Sequence, residues 1–263
     1  MYDQIDINVI KKRLRTRVIG RTIIYYDKTV STNVDAIRLA GNGAEEGTVV
    51  IADEQTGGRG RFDRAWLSPA GKNILLSVIL RPRLDPSRLF QLTMIASLAV
   101  VHAIGEVAGI VSMIKWPNDV YIGHRKVCGI LTEMGLNDRS LSYAVVGMGI
   151  NVNAHPELTG KNEVQATSIA GELGRKISRS AIVCALLAEM DRRYRMLAEG
   201  EGAAIRSDWI RLSLILGKPV MVSDAGRSIE GVAESFDEDG CLILQAGDGS
   251  RKKITSGDVT LRI

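Results

Sequence analysis

Residues 55–66, Gln-Thr-Gly-Gly-Arg-Gly-Arg-Phe-Asp-Arg-Ala-Trp, place three glycines and three arginines in twelve positions. Gly57, Gly58 and Gly60 can take φ > 0 and let backbone N–H groups approach a ligand, while Arg59, Arg61 and Arg64 carry forked donors that fit phosphate or carboxylate oxygens. The loop therefore suits an anion. It is neither a Walker loop nor a dinucleotide fingerprint, because it has no Gly-Lys-Ser/Thr and no helix of the required kind follows it. A second group is Lys115-Trp116-Pro117-Asn118-Asp119, with Lys126-Val127-Cys128-Gly129-Ile130-Leu131 one short hairpin later. Two lysines, a carboxylate and an amide flank an apolar strand there. A third is Gly147-Met148-Gly149-Ile150-Asn151-Val152-Asn153, where glycines inside a strand permit close approach of a ligand or a second backbone. Each group alone also fits a blander account: a surface loop, a solvated charged turn around a core Trp, or ordinary strand packing.

Other chemistries have little support. Cys128, Cys184 and Cys241 are odd in number and far apart, and none is in a Cys-x-x-Cys pair, so neither a disulfide framework nor a zinc site is suggested. His102, His124 and His155 show no ligand spacing. At 263 residues, 45% of them apolar, with net charge +4, the chain can build a large cored domain and a small one. The basic residues cluster at Lys11, Lys12, Arg13, Arg15 and Arg17 and in the glycine loop; elsewhere acids are interspersed. No apolar stretch reads as the roughly 20 residues of a membrane span. The start, Met1-Tyr2-Asp3-Gln4, has no signal-peptide pattern, so a cytoplasmic location is expected.

These groups need a scaffold. A strand at 21–26 leads to Ser31-Thr32-Asn33, which can cap a helix carrying Val34, Ile37 and Leu39. Thr48–Ala52 reads as the strand ahead of the glycine loop, and Asn73–Leu80 as a buried strand after the turn Ser68-Pro69-Ala70-Gly71-Lys72. Ser87–Val107 has the longest helical pattern, 113–133 reads as strand, loop and strand, and Tyr143–Asn151 as a further buried strand. Thr167–Leu197 is mostly helical, with a break at Gly171–Gly174 and a cap at Ser178 or Ser180. From Leu216-Gly217-Lys218-Pro219 onward short strands at 220–222, 229–233, 241–245, 253–254 and 259–263 suggest a small barrel. The expected division is 1–216 for a catalytic domain and 217–263 for the barrel.

Taken in order, Ser31-Thr32-Asn33, then Gln55–Trp66 running into Ser68-Pro69 and Asn73-Ile74, then Lys115–Asp119 with Lys126 and Gly129-Ile130-Leu131, then Gly149-Ile150-Asn151, resemble the biotin protein ligase family over residues 20–155. The resemblance implies an α+β fold: a mixed β-sheet catalytic domain of the kind shared with class II aminoacyl-tRNA synthetases, followed by an SH3-like barrel. It implies an ATP-dependent enzyme that converts biotin to biotinyl-5′-AMP and passes the biotinyl group to a lysine of biotin carboxyl carrier protein. Family members that double as repressors carry a winged helix-turn-helix ahead of the Ser-Thr-Asn motif; only 30 residues precede it here, so the short form is expected, without operator binding.

By the same resemblance Ser31, Thr32, Asn33 and Gln55 meet the ureido group of biotin, and the backbone of Arg59-Gly60-Arg61 covers its acyl tail. Lys126 serves both substrates. Arg61, Arg64 and Lys126 supply the positive field in which two anions meet, with Mg²⁺ held mainly by ATP phosphates. Lys115, Asn118, Asp119 and Asn151 line the nucleotide side, and Trp66 stacks near the adenylate. No general base is needed for activation, since a carboxylate is ionised at neutral pH; Asp119 is the candidate helper when the acceptor lysine loses its proton. A homodimer is expected. Three other readings are open: a lipoate or octanoate ligase on the same architecture, a basic nucleic-acid-binding, biotin-responsive regulator, and a module that holds biotin without chemistry.

Overall fold

The computed structural model describes residues 4–138, 140–155, 165–224 and 227–261. Its main sheet is built from β1 (Ile23–Thr29), β2 (Val49–Gln55), β3 (Ile74–Leu80), β4 (Met113–Lys115), β5 (Asp119–Ile122), β6 (Arg125–Asn137) and β7 (Ser140–Ile150). The strand order is β1-β2-β3-β7-β6-β5-β4. Only the β1–β2 pair is parallel, because helix α2 (Thr32–Gly41) carries the chain back between them; the remaining neighbours pair antiparallel.

β3 is buried along its length, and apolar but for Ser77, because both its faces are covered. On one face Val50, Ile79 and Val145 pack against Ala36 and Ala40 of α2. On the other, Leu76, Val78, Leu80, Val146, Met148 and Ile150 join the main core with α3 (Phe90–Ala108), and α5 (Arg179–Ala198) packs against α3. The segment 86–108 is, by length and composition, apolar enough to cross a membrane, which the sequence reading did not credit; here it is the core helix, with most of its length buried.

The ends of the elements follow their local chemistry. Helix α1 (Ile7–Arg13) begins where Asp6 Oδ1 accepts the N–H groups of Asn8 and Val9 at 2.9 and 3.0 Å. Its last turn holds Lys11, Lys12 and Arg13, so part of the basic run complements the negative end of a helix dipole. Ser168 and Ser178 cap α4 (Ile169–Leu173) and α5, and Gly174 closes α4 in the left-handed conformation. The stretch 113–133 contains three strands rather than two, since the turn at Trp116-Pro117 separates β4 from β5. Helix α6 (Gly202–Arg211) was not read from the sequence.

The C-terminal unit is a five-stranded antiparallel sheet of β8 (Pro219–Asp224), β9 (Arg227–Phe236), β10 (Leu242–Ala246), β11 (Arg251–Ile254) and β12 (Asp258–Leu261), ordered β11-β10-β9-β8-β12. Of the turn that the residue types Asp224-Ala225-Gly226 predict, residues 225 and 226 lie outside the described residues, as does the end of the strand expected to reach residue 263. An aromatic joint holds this unit to the rest: Trp209 of α6 meets Phe90 and Phe236 with ring centroids 5.6 and 4.6 Å apart. Beside it Trp116 Nε1 donates to the carbonyl of Gly240 at 2.9 Å. Gly240 sits at φ +81°, and a Cβ there would come within 2.3 Å of the Phe90 ring.

Candidate active site

The β1–α2 junction forms a buried polar corner. Ser31, Thr32 and Asn33 are all buried, and Ser31 caps α2 through its position alone, its hydroxyl making no capping bond. Thr32 donates to Gln55 Oε1 through both its N–H (2.7 Å) and its hydroxyl (2.9 Å). Ser77 Oγ lies 2.8 Å from Thr32 Oγ1 and 2.6 Å from Asn33 Oδ1. The Asn33 amide donates across the sheet to the Leu131 carbonyl at 3.2 Å and to Glu133 Oε2 at 2.7 Å. Gly147 makes this possible: a Cβ there would stand 1.9 Å from Asn33 Oδ1. The four residues assigned to a ureido group are thus brought together: Thr32 is bonded to Gln55 and, through Ser77 of β3, linked to Asn33, which also bonds to β6.

The glycine–arginine loop is a short hairpin. Thr56 and Gly57 continue the parallel pairing onto Thr29 and Val30, and Gly58 and Gly60 exchange backbone bonds with Trp66 and Arg64. Its tip, Arg61–Asp63, is a single tight turn closed by the Arg64 N–H on the Arg61 carbonyl, with Phe62 outside the right-handed helical region. The expectation of φ > 0 at the loop glycines is corrected here: the positive values fall on Phe62 (56°) and Asp63 (55°), not on Gly57, Gly58 or Gly60. The glycines serve close approach instead. A Cβ on Gly57 would lie 2.9 Å from Val30, and one on Gly58 2.8 Å from both the Gln55 amide nitrogen and the Trp66 carbonyl. Phe62 is exposed and carries the guanidinium groups of Arg61 and Arg64 over its ring, at 4.8 and 5.9 Å from the centroid. Arg59 bridges Ala65 through its backbone.

Beyond the loop, Trp66 lies flat on the sheet. Gly129 of β6 and Gly149 of β7 are paired across the strands, and a Cβ on either would come within 2.8 or 2.4 Å of the indole. Its Nε1 is buried without a hydrogen-bond partner. Lys126 Nζ stands 5.5 Å from the Trp66 ring and 2.6 Å from Asp119 Oδ1. Lys115 Nζ donates to Tyr121 Oη at 3.1 Å and sits over that ring. Burial lowers the Lys115 pKa, and the charge of Lys126 adds to this; burial likewise raises that of Tyr121. Asn118 Nδ2 donates to the Ile130 carbonyl at 2.7 Å, and its Oδ1 accepts from Arg61 at 3.4 Å. The Cys128 thiol is fully buried and pushed up by desolvation, which leaves it no role as a nucleophile.

Asn151 stands apart from these cations. It is buried, its amide donating to the Thr167 carbonyl at 3.0 Å and accepting from Asn73 at 3.4 Å. Asn73 also accepts the Val152 N–H at 2.9 Å, and its carbonyl accepts from the fully buried Arg179, which pairs with Asp53 at 2.8 Å. The segment held by Asn151 bonds both backbone groups of Lys126, through Gln165 and Thr167. Ser77, Tyr121 and Arg179 were missed in the sequence because nothing in their neighbours marks them; Asn73 stood in the motif that carries the resemblance but was given no role, and only the fold gives it partners. Among the described residues no group of three His, Cys, Asp or Glu side chains could hold a metal.

A polar corner sized for small hydrogen-bonding groups, joined by one arginine loop to a cluster of lysines, defines a ligase-type site that brings a small acid to a polyanion. The comparisons agree with that class. Residues 26–151 match the Biotin/lipoate A/B protein ligase family and residues 215–262 the Biotin protein ligase C terminal domain. The bifunctional ligase/repressor of Bacillus subtilis is 39% identical over 249 residues, covering 94% of this chain and 76% of that protein. The biotin–[acetyl-CoA-carboxylase] ligase of Paracoccus denitrificans is 34% identical over 88% of this chain and 97% of its own. Biotin protein ligase from Aquifex aeolicus, solved in complex with biotin and ATP, superposes with a TM-score of 0.76 at 30% identity, covering 92% of this chain and 99% of that one. The chain belongs to the biotin protein ligase family.

Proposed function

We propose that this enzyme activates biotin with ATP and biotinylates a lysine of biotin carboxyl carrier protein. The biotin carboxylate attacks the α-phosphorus, the bond to pyrophosphate breaks, and biotinyl-5′-AMP remains bound. The lysine amine then attacks the acyl carbon, AMP leaves, and the amine gives up a proton. The observation that carries the reading is the juxtaposition of the Thr32–Gln55–Asn33 corner with Lys126, Arg61 and Lys115 across one loop.

Each residue's part follows from its place. Thr32 and Gln55 exchange the bonds between them, and Asn33 its bonds to Ser77 and Glu133, for bonds to the ureido group, which keeps desolvation small and rejects acids lacking it. Lys126, beside Trp66 and Asp119, is assigned the meeting point of the carboxylate and the α-phosphate, and Arg61, Arg64 and Lys115 take phosphate charge. Asp119, paired with Lys126, is the carboxylate placed to take the proton of the acceptor lysine. Asn151 serves by holding the segment that orients Lys126 rather than by reaching the nucleotide. Mg²⁺ would be held mainly by the ATP phosphates, whose charge it would screen.

The reading is tested with ATP, Mg²⁺ and either biotin or lipoate, with mass spectrometry of the acyl-adenylate. Biotinyl-5′-AMP is expected; formation of only the lipoyl species would assign the alternative that the first matched family also includes. We further propose a homodimer and a cytoplasmic location. The first is supported by family membership and by exposed Met134 and Leu136 on β6 and is read by light scattering; the second is read by subcellular fractionation.

A further inference from the structure

Arg61 and Arg64 reach across to two adjacent residues of the C-terminal unit, one each. Arg61 Nη1 donates to the carbonyl of Gly257 at 3.3 Å, and Arg64 pairs with the Asp258 carboxylate. Gly257 holds φ at +135°, a conformation that side-chain-bearing residues rarely adopt, and it precedes Asp258, the first residue of β12. Asp258 is also near enough to act on Lys115 and Tyr121 through its charge. One carboxylate from the small sheet therefore stands within the cationic cluster formed by the main sheet and the loop.

The Arg64 and Asp258 side chains are 64% and 39% exposed, and ion pairs with this much solvent contribute little to stability. Alignment is the larger effect. A long side chain at a loop tip loses rotamer freedom when it meets a phosphate, and a partner that already holds it reduces that loss. The guanidinium has five donors, so one edge can keep a carboxylate while the other takes a phosphate oxygen.

We propose that Asp258, together with the Gly257 carbonyl, is a positioning residue for adenylation: the C-terminal unit holds Arg64 and Arg61 aimed into the triphosphate site before ATP arrives. The inference rests on the ATP reading above and concerns a residue that none of the sequence motifs contains.

The test uses the full chain and follows pyrophosphate release against ATP and biotin separately. Asp258→Asn is expected to raise the KM for ATP by about three- to tenfold, the range for one immobilised side chain, and to leave the biotin KM and the melting temperature unchanged. In an Arg64→Ala background the same substitution should add nothing further, and Gly257→Ala should raise the ATP KM in the same direction. An ATP KM that is unchanged or lower in Asp258→Asn overturns the proposal, as does a full additional rise in the Arg64→Ala background. If the wild-type chain itself releases no biotin-dependent pyrophosphate, the functional reading fails instead, so the two failures are distinct.

Discussion

Lys115 is a cation that the fold keeps partly out of water, and its lowered pKa follows from that burial, with the charge of Lys126 adding to it. The unfolded chain binds its proton more tightly than the folded one, so the ammonium opposes folding below its folded pKa. That cost disappears as pH rises toward the ordinary lysine value. Lys115→Met should therefore raise the melting temperature at pH 7, with a smaller gain at pH 10, while ATP-dependent pyrophosphate release falls; thermal melts at both pH values check the sign. Lys126→Ala removes the charge at the meeting point of the two anions and should lower the adenylation rate by about 10²- to 10³-fold, measured by single-turnover kinetics. Gly147→Ala puts a methyl group on Asn33 Oδ1 and should destabilise the fold by about 1–3 kcal/mol in urea titration, with weaker biotin binding. The motif residues were legible because lysine, arginine and glycine at these spacings have few other uses together. Ser77 was not, since a single buried hydroxyl carries no pattern until its partners 44 and 45 positions away are in place.

At the level of elements, continuous apolar runs made β3 and β7 readable, and helical periodicity did the same for α3 and α5. Helix α6 escaped because Gly202, Ser207 and Asp208 dilute its pattern and its buried face is only Ile205 and Trp209. The loop between β2 and β3 was legible in composition but not in conformation: three glycines were available, yet Phe62 and Asp63 took the left-handed positions. Non-glycine residues held there cost of order 1–3 kcal/mol each, so the tip is a conformation its surroundings must maintain. Closure over the adenylate should show as slower amide exchange across 57–66 when biotin and ATP are added together, with equal protection in both states counting against a lid. Arg61→Gly should release activated biotin to free amines roughly tenfold faster or more, measured as biotinylation of an added bystander protein.

Across the whole molecule, sequence periodicity located the small C-terminal sheet but gave no hint of how it docks. The joint is made of Phe90, Trp209 and Phe236, with Trp116 donating to Gly240, and these residues belong to stretches that look unrelated along the chain. Trp209 and Phe236 are buried, and the two units share one continuous core. Calorimetry should therefore record a single cooperative transition, with agreement between calorimetric and van't Hoff enthalpies. Cutting the chain after residue 216 would strip the cover from three aromatic rings, and the shortened product should be sticky and poorly folded rather than a smaller version of the same catalyst.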